Sequence, residues 1–100
     1  MSVLVIVKLK ANRDAFAKII AERGEEMAAI SARGKAAGAI HHRFGLGDDG
    51  TVVVLDEWDS AEHFSKFFDN PEIAQLMADG MIEGPPEVTI VDAVASADQF

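Results

Sequence analysis

Apolar side chains fill nearly every position of Val3-Leu-Val-Ile-Val-Lys-Leu9 and again of Val52-Val-Val-Leu55. Such runs, rich in β-branched residues, predict strands with both faces covered, in contrast to the alternating pattern of a strand that turns one face to water. The first strand spans Val3–Leu9 and gives way at Lys10 and Asn12. Asn12 is a favourable N-cap, and Asp14 places negative charge in the first helical turn. Phe16, Ile19, Ile20, Met27 and Ile30 then recur at helical spacing, which predicts one helix from about Arg13 to Arg33, with stop signals at Gly34 and Gly38.

Ala39–Leu46 reads as a second strand, Gly47-Asp48-Asp49-Gly50 as a turn, and Thr51–Trp58 as a third strand. With Asp49-Gly50 as a two-residue hairpin loop, the pairing sets Arg43 opposite Asp56, His42 opposite Glu57, His41 opposite Trp58 and Phe44 opposite Leu55. The third strand runs into a helix without a loop. Asp59 is the expected cap, with Glu62 at the capping-box position, and Phe64, Phe67 and Phe68 form the buried stripe. Asn70-Pro71 restarts the helix in a new direction, with proline at the first helical position where its missing N–H is harmless. Gly80 ends that segment, residues 81–86 connect, and Glu87–Ala95 is the fourth strand.

The order β-α-β-β-α-β predicts a single α+β domain over residues 1–100. It is ferredoxin-like, with an antiparallel sheet and a broken second helix. Two helical segments cover only one sheet face. The apolar residues on both faces of the first and third strands therefore call for a second cover, most simply the same face of another copy in a two-fold homodimer.

Composition narrows the function classes. A chain of 100 residues supports one core. The absence of cysteine removes disulfides, thiolate metal sites and a cysteine nucleophile, and fits a cytoplasmic setting. The net charge of −8, with nine basic residues scattered among seventeen acids, argues against a nucleic-acid partner. The apolar start lacks the basic flank and cleavage pattern of a signal peptide, and no segment is long enough to span a membrane.

Several of these features occur together: an acidic residue before Trp58, Asp59-Ser60 opening a helix, Phe64 and Phe67 on its face, and the break at Asn70-Pro71. In this the chain resembles the dimeric α+β barrel superfamily, and more narrowly the small antibiotic-biosynthesis-monooxygenase-like proteins. The resemblance implies a homodimer with a pocket between helices and sheet. It also implies cofactor-free oxidation of aromatic molecules as one activity of such pockets. In the similar haem-degrading members the haem-ligand histidine, tryptophan and asparagine would fall at Leu76, Phe67 and near Val7. Those residues cannot supply the roles, so no cofactor is expected.

The polar candidates are few. His42 and Glu57, paired as above, would make an imidazole–carboxylate couple suited to a general base and its orienting group, although cross-strand pairs of this kind also simply stabilise sheets. In that register His41, Arg43, Asp56 and Trp58 share the other face and read as an interface. Trp58, His63, Phe64, Phe67, Phe68 and Met77 are the expected ligand-binding set around a small apolar or aromatic molecule. Adjacent strand histidines point to opposite faces, so His41 and His42 cannot chelate one metal. The sequence leaves open an oxygenase-like enzyme, a non-catalytic ligand-binding or accessory dimer, and a structural dimer whose cavity is filled by its own phenylalanines.

Overall fold

The computed structural model describes residues 1–100. Its elements are β1 (Val3–Lys10), α1 (Arg13–Glu22), α2 (Gly24–Ala37), β2 (Ala39–Leu46), β3 (Thr51–Trp58), α3 (Ala61–Phe68), α4 (Pro71–Asp79) and β4 (Glu83–Asp92). The four strands form one antiparallel sheet in the order β2-β3-β1-β4, the ferredoxin-like arrangement expected from the sequence. No helix is long and apolar enough to cross a membrane.

All helices lie on one sheet face. Val3, Val5, Val7 and Leu9 of β1 and Val52, Val54 and Trp58 of β3 point into the core beneath them, where Phe16 and Phe64 close the layer. The intervening residues Leu4, Ile6, Val53 and Leu55 face the other way, joined by Val91 of β4, which pairs with Leu4. Four of these remain between 37% and 52% exposed. One chain alone thus leaves an apolar sheet face in water.

The first helical region departs from the single helix expected from its apolar stripe. It breaks at Arg23, whose φ of −116° and ψ of 30° leave the helical range, and Gly24 opens α2. Arg23 stabilises this corner by reaching in two directions. Its Nε lies 2.7 Å from Glu26 Oε2, and its Nη1 lies 2.6 Å from Asp79 Oδ2 at the far end of α4. The guanidinium holds both carboxyls below the usual range. A second ion pair, Arg33 with Glu72, ties α2 to the start of α4. Helix α2 continues through Gly34, where the ring edge of Phe67 fills the space of a missing side chain, and stops at Gly38.

Two caps follow the sequence and one does not. Asn12 and Asn70 accept from the N–H groups of Ala15 and Glu72. The cap of α3, however, is Ser60, whose Oγ accepts from His63 N–H, so Glu62 is not at the capping-box position. Asp59 instead pairs with His63 Nδ1 at 2.8 Å. Strand β4 begins at Glu83, four residues earlier than the sequence suggests, with Gly84 at a φ of 72°.

The hairpin decides how the site is built. Gly50 N–H donates to the Gly47 carbonyl at 3.1 Å, Gly47 N–H donates to the Thr51 carbonyl at 2.8 Å, and Gly50 has a φ of 90°. The loop therefore has three residues, Asp48-Asp49-Gly50, ending in a left-handed glycine. One extra loop residue slips the pairing by one. His42 stands opposite Asp56, His41 opposite Glu57, Arg43 opposite Leu55 and Phe44 opposite Val54. Because side chains alternate along a strand, that slip brings Asp56 and Trp58 to the face of His42 and sends Glu57 away from it.

Candidate functional site

A cavity of about 320 Å³ lies between the sheet and helices α2, α3 and α4. Val7, Phe44, Val54 and Trp58 form its floor, Met27 and Ile30 of α2 one wall, and Phe64, Phe67 and Phe68 of α3 another. Ile73, Leu76 and Met77 of α4 complete the enclosure. The aromatic packing fixes its shape. Trp58, 2% exposed, meets Phe64 edge-on at 5.8 Å and Phe67 at 5.5 Å, while Phe64 and Phe68 stack at 5.3 Å. These distances lie within the favourable range for aromatic pairs, so the rings form a preset wall.

Among the side chains lining this apolar space, those with acid–base chemistry are His42 and Asp56. His42 Nδ1 is 2.6 Å from Asp56 Oδ1, and the other carboxylate oxygen, Oδ2, accepts from Trp58 Nε1 at 3.0 Å. The Asp56 side chain is 8% exposed and that of His42 35%, so the carboxylate is enclosed while the imidazole is in part open to solvent. The His42 ring also packs edge-on to Phe44 at 4.8 Å. A buried carboxylate with both oxygens occupied is held in one orientation, and an imidazole anchored through Nδ1 turns Nε2 to its surroundings. The arrangement can accept or deliver a proton, or hold one polar group of a bound molecule.

The sequence-derived candidates divide accordingly. His42, Trp58, Phe64, Phe67, Phe68 and Met77 come together around the cavity. Glu57 does not join them; it lies on the opposite sheet face, where its Oε2 accepts from Ser2 Oγ at 2.6 Å, and Asp56 takes the place beside His42. The reason is the three-residue hairpin loop. His63, one position before Phe64 on α3 and so about 100° around the helix, pairs with Asp59 outside the lining. Asp56 was missed together with Ile30 of α2 and Ile73 and Leu76 of α4. The signal that could have placed Asp56 is Gly50 itself, since Asp-Asp-Gly suits a type I turn followed by a left-handed residue.

No protein-family model and no curated protein matches the chain. Solved structures do. Rv0793 from Mycobacterium tuberculosis is similar over 98% of this chain and 100% of its own, with 19% identity and a TM-score of 0.66. The monooxygenase from the ActVA-Orf6 gene of Streptomyces coelicolor, solved with the ligand nanaomycin D, is similar over 99% of this chain and 93% of its own, with 17% identity and a TM-score of 0.68. SnoaB, a cofactor-independent oxygenase from Streptomyces nogalater, is similar over 98% of both chains, with 15% identity and a TM-score of 0.65. The chain has the α+β fold of the antibiotic biosynthesis monooxygenases.

Proposed function

We propose that the protein is a homodimeric, cofactor-independent, monooxygenase-like enzyme that takes a small apolar or aromatic molecule into the helix–sheet cavity. The observation that carries this reading is the single acid–base couple, His42 with Asp56, set into an otherwise apolar aromatic enclosure. A volume of about 320 Å³ stands at the small end of ligand pockets, which run from about 300 to 1,000 Å³. It suits a molecule of one to three fused rings. His42 serves as the base for the ligand's acidic group, and the aromatic wall supplies its binding surface. Fold likeness to a cofactor-independent oxygenase and to a monooxygenase solved with nanaomycin D agrees with this chemistry.

Dimer formation is supported by the exposed outer sheet face of Leu4, Ile6, Leu55 and Val91, an apolar surface that a second copy of the same face would cover. The test is a panel of naphthols, anthrones and their ethers, scored by melting temperature and by oxygen uptake. The reading expects at least one compound to raise the melting temperature and consume oxygen, and His42→Gln to stop the uptake while the protein stays folded. Stabilisation without oxygen uptake by any member would favour the alternative, a ligand-binding or accessory dimer. No stabilisation by any member would remove the ligand site altogether.

A further inference from the structure

We propose that Asp56 is a positioning residue that fixes His42 as the Nδ1–H tautomer and thereby selects cavity ligands that donate a hydrogen bond. The inference rests on the cavity being a small-molecule site and adds which polar group its ligand must carry.

The two oxygens of Asp56 have different partners. Oδ2 accepts from the indole N–H of Trp58 at 3.0 Å. An indole nitrogen can only donate, and this one cannot move away, since Trp58 is 2% exposed and packed between Phe64 and Phe67. That bond sets the plane of the carboxylate. Oδ1 then faces His42 Nδ1 at 2.6 Å, and because a carboxylate only accepts, the proton of the neutral imidazole resides on Nδ1. Nε2 is left as an acceptor and makes no hydrogen bond within the chain, although the side chain lines the cavity.

The rest of the lining is largely apolar, with the Ser31 hydroxyl as the other uncommitted polar group. A ligand O–H or N–H finds an acceptor at Nε2. A ligand offering only a carbonyl or an ether oxygen finds no partner at Nε2 and only the Ser31 hydroxyl as a donor, and sites built around one hydrogen bond discriminate strongly against a partner that cannot make it. The selected class is therefore hydroxylated or N–H-bearing aromatic molecules, with Trp58 and Asp56 acting through His42 and not on the ligand.

The tautomer is read by nitrogen-15 and carbon-13 NMR of histidine-labelled protein at pH 8. Ligand choice is read by titration with 1-naphthol, which donates, and 1-naphthaldehyde, which only accepts. Wild type should show His42 as Nδ1–H and bind 1-naphthol roughly tenfold or more tightly than 1-naphthaldehyde. In Asp56→Asn the carbonyl oxygen keeps the indole bond and the amide N–H₂ faces Nδ1, so His42 should convert to Nε2–H and the preference should vanish or invert. Trp58→Phe, which frees the carboxylate to turn, should give mixed tautomers and a weaker preference, and it serves as the second variant if Asp56→Asn does not fold. A merely structural Asp56 would lower stability in these variants without moving tautomer or preference. An Nε2–H His42 in wild type, or an unchanged preference in a folded variant, would overturn the proposal. Failure of both probes to bind wild type would overturn the ligand selection along with the pocket reading, and the ligand-free tautomer spectrum distinguishes that failure from a wrong role for Asp56.

Discussion

Gly50 and Ala11 are joined backbone to backbone: Ala11 N–H donates to the Gly50 carbonyl at 2.9 Å, and the Ala11 carbonyl occupies the space that a side chain on Gly50 would need. With its φ of 90°, this glycine meets two requirements that no other residue meets. Gly50→Ala should therefore destabilise the protein by about 1–3 kcal/mol in urea unfolding. Gly24→Ala, at the first turn of α2 with nothing near its missing side chain, should be neutral or stabilise by up to about 1 kcal/mol. Equal effects at the two glycines would contradict the strained-loop account.

The two faces of the sheet should respond differently to charge. Val5 is 1% exposed beneath the helices, so Val5→Lys buries an unpaired ammonium and should prevent folding. Leu55 is on the outer face, so Leu55→Lys should leave a folded chain and abolish the proposed self-association. Circular dichroism and sedimentation velocity at micromolar concentration distinguish the outcomes, and a wild-type protein that sediments as a monomer would remove the dimer from the proposed function.

Acid should act on the corner between α1 and α2. Arg23 holds the Glu26 and Asp79 carboxyls below their ordinary values, so the stability they contribute is present above the unfolded carboxylate pKa, about 4, and is lost as pH falls through the lower folded values. The melting-temperature gap between wild type and Arg23→Met should be constant from pH 7 to about 5 and narrow below about 4. A gap that widens on acidification would reverse the sign of this linkage.

Met81 has a φ of 56°, the left-handed region, where it closes α4 as Ile82 N–H bonds the Met77 carbonyl at 3.2 Å. Relief of the side-chain clash, offset by glycine's greater freedom when unfolded, should make Met81→Gly stabilising by up to about 1 kcal/mol in thermal unfolding. A marked loss of stability would mean that the Met81 side chain packs more than its 60% exposure indicates.

The strand pattern, the Asn12 and Asn70 caps and the break before Pro71 were legible because each depends on residues close together in the chain. The corner at Arg23 was hidden. Its apolar stripe continues from Ile19 to Met27 and Ile30, and the break is held partly by Asp79, 56 positions away. The site was half legible for a similar reason. His42 and the phenylalanines follow from local pattern, but the partner of His42 depends on whether the hairpin loop holds two residues or three. One residue of loop length exchanged Glu57 for Asp56 and set Trp58, read from sequence both as part of an interface and as a ligand-binding residue, in the cavity floor.

The central position of β1 governs the order of assembly. It lies between β3 and β4, so Val3 pairs with Trp58 on one side and Asp92 on the other, contacts 55 and 89 positions apart in sequence. The β2–β3 hairpin can form locally, but the sheet closes only when the two ends of the domain meet. Such distant pairings raise contact order and slow folding, so refolding should pass its barrier late, with the β2–β3 hairpin protected from hydrogen exchange before β4 docks. Until then the inner valines of β1 are exposed along one edge, the interval in which the nascent protein is most open to aggregation.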